Sequence, residues 1–214
     1  MANVKQQFEA PSIPSLGFPP EAYERRHFNE NYGALNGYFR KLTTILGSLF
    51  GPKGGKFLNM PYGAFQSVVD QTVATINTPY ALTLDTVDFA NGVSVTNNSR
   101  ITVAEDGIWN LQWSGQFENT DSQDHDVRVW IKINGTVVTG STGFFAVSSK
   151  HGSVNGHVLV GWNYFLQLTI NDYVELWWET DSTMVSLQSY PAAGSYPSTA
   201  SLIATLTFVS NLPS

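Results

Sequence analysis

The chain has 214 residues, room for one β domain of roughly 150 residues with its own core and an N-terminal extension. Charged residues are only 13%, about half the usual ~25%, while aromatics also reach 13%, so part of the aromatic surface is expected to lie against partner chains. The net charge of −6, with Arg25-Arg26 and Arg40-Lys41 as isolated basic pairs, excludes a nucleic-acid footprint, and the absence of cysteine excludes disulfides, thiolate metal sites and cysteine nucleophiles.

Residues 1–7 carry no apolar signal region, and no run of about 18 apolar residues occurs anywhere. Neither a secretory leader nor membrane insertion is therefore expected, and the protein is expected to be made in a reducing cytoplasm. Residues 1–20 contain Pro11, Pro14, Pro19 and Pro20, which oppose helix and sheet and favour extended backbone. Two readings are open: a disordered tail, or an anchoring arm that orders on a larger assembly through Phe8, Ile13, Leu16 and Phe18.

Residues 21–50 are predicted helical, starting near Pro20-Glu21 and ending by Gly47 or at the latest Gly51-Pro52. Glu21 and Glu24 would then meet the positive end of the helix dipole. Phe28, Tyr32, Leu35, Phe39, Leu42, Leu46 and Leu49 recur at a four-three spacing, which is the seam of a coiled coil. Gly33, Gly37 and Gly47 fall off that seam, and Tyr38 and Ile45 widen the stripe in a way that suits three helices better than two. The competing reading packs this helix on the chain's own β domain. Residues 51–63 are a Gly- and Pro-rich neck.

From residue 64 to 214 the period changes to two. Trp109, Leu111, Trp113 and Phe117 alternate with polar residues, as do Val127, Val129, Ile131 and Ile133; Val174, Leu176 and Trp178; and Leu202, Ala204, Leu206 and Phe208. Turn signals stand at Asp106-Gly107, Asn134-Gly135, Asn155-Gly156 and Asn171-Asp172. The fold class is mainly β, an antiparallel sandwich, and about eight to ten strands would close as a jelly roll. Trp130 and Trp177 have the opposite parity from the core residues of their strands, so they would face water in a single chain and are expected in a subunit interface.

Sites with chemistry are sparse. His151 and His157 form the closest histidine pair, open to reading as loop residues or as a metal ligand on a threefold axis. Asp121, Asp124 and Asp126 lie in one acidic turn, which lacks the EF-hand pattern but leaves a calcium reading open. Glu175 and Glu179 lie about 13 Å apart on one strand, too far for a glycosidase pair. Ser189-Tyr190-Pro191 and Ser195-Tyr196-Pro197 repeat one tripeptide, placing Tyr190 and Tyr196 on a stiff loop as contact residues for a host-surface glycan or protein, or as rings packed on their own domain. No catalytic residue, metal or cofactor is expected.

The β region resembles the jelly roll of tumour necrosis factor and the globular head of the complement recognition protein. The residues that carry this are Asp106-Gly107-Ile108-Trp109, Lys132-Ile133-Asn134-Gly135, Asn171 to Leu176 and Ser201 to Phe208. The resemblance covers roughly residues 64–210, lacks a collagen-like stem and implies a trimer-forming head; immune function does not follow from it. Phe28 to Phe39, Leu49 to Gly55 and Asn59 to Phe65 are similar to short virion structural proteins of tailed bacteriophages. That implies a homotrimeric fibre or decoration protein on the virion surface, anchored to capsid, portal or tail proteins through its arm. A lectin-like or cytokine-like module outside any virion is the alternative, and a carbohydrate-active enzyme is disfavoured because no acid/base pair appears.

Overall fold

A computed structural model of the protein describes residues 11–18, 21–50 and 60–212, the side chains of 48–50 excepted. Phe8, the side chain of Leu49 and neck residues 51–59 lie outside the described residues. The chain divides into two units, Met1–Asn59 and Met60–Ser214.

In the first unit, α1 (Arg25–Phe50) starts a turn later than the sequence suggests. The Glu24 carbonyl accepts the first helical bond from the Phe28 amide (3.2 Å), which makes Glu24 the residue that caps the helix. Glu21 and Glu24 therefore precede the first turn, which contains no acid. Residues 11–18 form neither helix nor strand, as their prolines require. The Gly17 amide donates to Asn31 Oδ1 (3.3 Å), and Asn31 Nδ2 lies 2.9 Å from His27 Nε2, so this segment touches the first turns of α1. Within the unit Phe28 is 58% exposed, Tyr32 63% and Phe39 56%, and Leu35 and Leu46 are also exposed.

Side chains added at Gly33 and Gly37 would meet nothing within 4 Å. Gly33→Ala and Gly37→Ala are each expected to stabilise α1 by about 1 kcal/mol, because alanine gives up less backbone freedom on entering a helix. Helicity and thermal midpoint should both rise. A fall in either would place these glycines against a neighbouring helix.

In the second unit the strands are β1 (Tyr62–Ser67), β2 (Gln71–Thr72), β3 (Tyr80–Ala81), β4 (Thr86–Asn91), β5 (Val93–Thr96), β6 (Arg100–Val103) and β7 (Gly107–Asn119). They continue as β8 (His125–Ile133), β9 (Thr136–Val137), β10 (Gly143–Val147), β11 (Gly156–Leu168), β12 (Tyr173–Thr180), β13 (Val185–Leu187) and β14 (Leu202–Ser210). All pairings are antiparallel and make two seven-stranded sheets. The first runs β2-β13-β7-β14-β1-β4, with β11 along the other edge of β7. The second runs β10-β8-β12-β6-β5, with β3 on β12 and β9 on β8.

Period-two alternation puts one face of each sheet into a shared core, as in a β sandwich. Trp109, Leu111 and Phe117 of the first sheet and Val127, Ile131, Val174 and Trp178 of the second are all buried there. Phe117 meets Trp178 edge to face at 5.9 Å, so the two sheets interlock through aromatic rings. Asn134 and Gly135 take φ of 51° and 80°, the left-handed pair that a two-residue turn needs to reverse β8 into β9. At Gly156 a side chain would overlap the Ser148 carbonyl, so only glycine lets β11 start there.

The two ends of the sandwich differ. Met60 and Pro61 lie at the end that holds Asn91 and Phe208, since Asn91 Nδ2 donates to the Met60 carbonyl and the Phe208 amide to that of Pro61. The opposite, distal end collects the loops 120–124, 148–155, 181–184 and 188–201.

Candidate functional site

The outward faces of the two sheets carry opposite chemistry. On the second sheet Arg128 Nη1 donates to Glu179 Oε1 (2.8 Å), and Arg100 Nε lies 3.4 Å from Glu175 Oε1, which also accepts from Ser99 Oγ (2.8 Å). Lys132 Nζ sits 3.4 Å from the centre of the Trp177 ring. Glu175 and Glu179 thus serve two separate cation pairs.

This layer corrects the expectation that Trp130 and Trp177 face water in one chain. Trp130 is only 9% exposed and Trp177 half-buried without any partner subunit. Trp130 pairs with Trp177 across β8 and β12, and Trp177 pairs with Ala81 on its other side. Arg128 and Lys132, two residues to either side on β8, are on the same face, where long basic side chains lay their methylenes over apolar surface. Both rings do have outward parity; their cover comes from within the chain.

On the first sheet, β1, β4, β7, β11 and β14 contain no Lys or Arg, and their only acids are Asp88 and Glu118. The outward row Phe165, Asn110, Thr207 and Tyr62 crosses four strands in register. Phe165, Tyr62, Phe89 and Ile203 are exposed there. Asn110 Oδ1 is buried in this row and accepts no hydrogen bond among the described residues. A buried carbonyl left so costs roughly 1–3 kcal/mol. This face, which no local sequence pattern marks, has the charge-depleted character of an interface core.

The distal end of the same sheet carries a cleft of about 380 Å³ lined by Gln116, Phe117, His157, Val158, Leu159, Tyr190, Tyr196 and Thr199. The repeated Ser-Tyr-Pro tripeptides become the two legs of one narrow hairpin. Tyr190 bridges Thr199, and Ala193 bridges Tyr196 around Gly194 at φ 59°. The loop is fastened at its base, where the Ser189 amide and Oγ both donate to Asp70 Oδ1 (2.9 and 3.1 Å) and Gln116 Nε2 donates to the Ala200 carbonyl (3.2 Å).

The two tyrosines have different fates. Tyr190 Oη donates to the buried Glu118 Oε2 (2.6 Å) and lies 3.2 Å from His157 Nδ1. Burial, followed by the hydrogen bond to Glu118, pushes the Tyr190 hydroxyl well above the ordinary phenol range, so it stays a donor. Tyr196 is 57% exposed on the rim. Of the two tyrosines expected to make contacts, Tyr190 is therefore a clamp and Tyr196 a free ring. His157 joins this cluster through β11 pairing with β7, while His151 closes a turn with Val154.

Asp121, Asp124 and Asp126 also lie at the distal end, but their partners diverge. Asp121 Oδ2 lies 2.8 Å from His125 Nε2, whose Nδ1 lies 3.1 Å from Asp181 Oδ1. The Ser149 amide donates to Asp124 Oδ1 (2.7 Å), and the Asp126 amide donates to Asp181. The hydrogen bond to His125 first, then that from the Ser122 amide, lowers the Asp121 pKa. Among the described residues no group of three or more His, Asp or Glu is placed to hold a metal ion, and no helix is long and apolar enough to cross a membrane. No family model matches this chain, and no curated protein matches it.

Proposed function

We propose that the protein is a non-enzymatic structural protein of a tailed-bacteriophage particle, a homotrimeric short fibre or decoration with its head outward. The observation that carries this reading is α1. A 26-residue helix presents Phe28, Tyr32, Leu35, Phe39 and Leu46 at heptad spacing, all exposed within its own unit. Burying such a seam calls for copies of the same helix, and the stalk of three is that assembly.

Two features of the β unit support the trimer. Its long strands run β1-β14-β7-β11 and β6-β12-β8-β10, two antiparallel layers that suit the proposed jelly-roll head. The charge-depleted outward face around Phe165, Asn110 and Tyr62 offers a subunit contact, and a donor from a neighbouring head would satisfy Asn110 Oδ1. That face takes the place of Trp130 and Trp177 in the proposed head interface. The distal loops lie at the end of the sandwich opposite Met60, where the head chain begins, which suits an outward-facing contact surface.

The arm supplies the anchor. Ile13 and Phe18 are 85% and 97% exposed, apolar residues in want of a surface. Deleting residues 1–20 should leave a folded trimer that no longer enters particles, because α1 and the sandwich core lie downstream. Light scattering on the truncated protein and its assay in purified particles check this; lost trimerisation or normal incorporation would refute it. Electron microscopy of particles with the head labelled tests the whole reading and separates tail from capsid placement. The distal cleft favours one second reading, a lectin-like module outside any virion. Neighbouring genes for portal, capsid or tail proteins would decide against it.

A further inference from the structure

We propose that the distal cleft is a binding site for an uncharged saccharide of one or two rings, with Tyr196 as the stacking platform. His157, Gln116 and Thr199 are its hydrogen-bonding groups. The proposal rests on the adhesive role of the head and names the ligand that role requires.

The lining selects the ligand class. Among the described residues no Lys or Arg lines the cleft, so no permanent positive charge there compensates a phosphate, sulfate or acidic sugar. The nearby carboxylate, Glu118, is buried and accepts the Tyr190 hydroxyl, so no free negative charge draws a cation. What remains is the mixture a neutral sugar needs: an exposed aromatic face for its C–H face, and imidazole, amide and hydroxyl groups for its hydroxyls. A volume of about 380 Å³ is at the small end of the ~300–1,000 Å³ of small-ligand pockets, which limits the occupant to one or two rings.

The site is also built before any ligand arrives. The Tyr190–Thr199 and Ala193–Tyr196 bridges close the hairpin on itself, and the Ser189–Asp70 bonds and the Tyr190–Glu118 clamp tie it to the sheet. A tyrosine on so short a hairpin loses little freedom on binding, so the stacking energy is not spent on ordering the loop. Tyr190 and Glu118 act by positioning. They hold the base of the hairpin that carries Tyr196 beside His157.

Single-site affinity should be weak, with Kd on the order of 1 mM, and three linked heads should raise avidity on a dense glycan surface by about 10²–10⁴. The test uses the full-length protein, a printed panel of neutral and acidic glycans, and ligand-observed magnetic resonance with glucose, galactose, mannose and N-acetylglucosamine at up to ~10 mM. Binding of at least one neutral sugar is expected. Tyr196→Ala and His157→Ala should each weaken it tenfold or more, with an unchanged oligomer and circular dichroism spectrum. Phe144→Ala, on the outward edge of the other sheet, should bind as the parent does. No neutral binder, binding restricted to acidic glycans, or undiminished binding by Tyr196→Ala would each overturn the proposal. Particle microscopy keeps the two readings apart: a labelled virion without sugar binding refutes the cleft alone, and sugar binding by a protein absent from virions refutes the virion role alone.

Discussion

Phe39→Asp is expected to convert the proposed full-length trimer to monomer while leaving the β unit folded. Phe39 sits mid-seam on α1 and is 56% exposed within its own unit, so in the proposed trimer its further burial would come from neighbouring helices. Burying a Phe side chain contributes roughly 2 kcal/mol, and the trimer repeats the site three times. Loss of about 6 kcal/mol lowers the association constant by about 10⁴ before any cost of burying three carboxylates together is counted. Sedimentation or light scattering at micromolar concentration reads the change directly. The sandwich core draws only on the second unit, so its thermal transition should persist. A Phe39→Asp protein that still runs as a trimer would move the assembly energy to the heads, and the charge-depleted face around Phe165 and Tyr62 would then become the principal contact.

The second large effect is on the core. Trp178→Ala should destabilise the β unit by about 3–5 kcal/mol, the cost of emptying a large aromatic site that cannot collapse. Trp178 is 1% exposed and its ring meets Phe117 of the opposite sheet, so its removal unlocks the contact between the two layers. For a domain of this size that is a fall in thermal midpoint of roughly 10 °C or more. Its neighbour provides the control. Trp177 is half-buried on the outward face under Lys132, and Trp177→Ala should cost about 1–2 kcal/mol. Equal losses for the two variants would mean that the outward layer carries as much packing energy as the core.

Much of the β unit is legible along the chain because strand periodicity is local. The inward parity of Trp109, Leu111, Trp113, Val127, Ile131, Val174, Trp178, Leu202 and Leu206 follows from alternation alone, and each is buried. The Asn134-Gly135 reversal is equally plain, since few other pairs accept left-handed backbone at both turn positions. The helix start is less so. Pro20 and Glu21 make a good first turn in isolation, but the hydrogen bond that makes Glu24 the cap is set one turn further on.

The cleft depends on contacts that no local pattern encodes. Glu118, His157 and Tyr190 come from three distant stretches, and only the pairing of β11 and β13 with β7 sets them side by side. The Ser-Tyr-Pro repeat marks the loop, yet it does not tell which ring is clamped, because that depends on a carboxylate 72 residues away. The same holds for Trp130. Alternation assigns it to the outward face, and only the register of β8 on β12 places Trp177 beside it. By itself the sequence determined the mainly β class, the core parity, the heptad seam of α1 and the low charge. The tertiary structure decided which outward face is paired within the chain and which is left bare, because facing is a property of one strand and cover is a property of its neighbours.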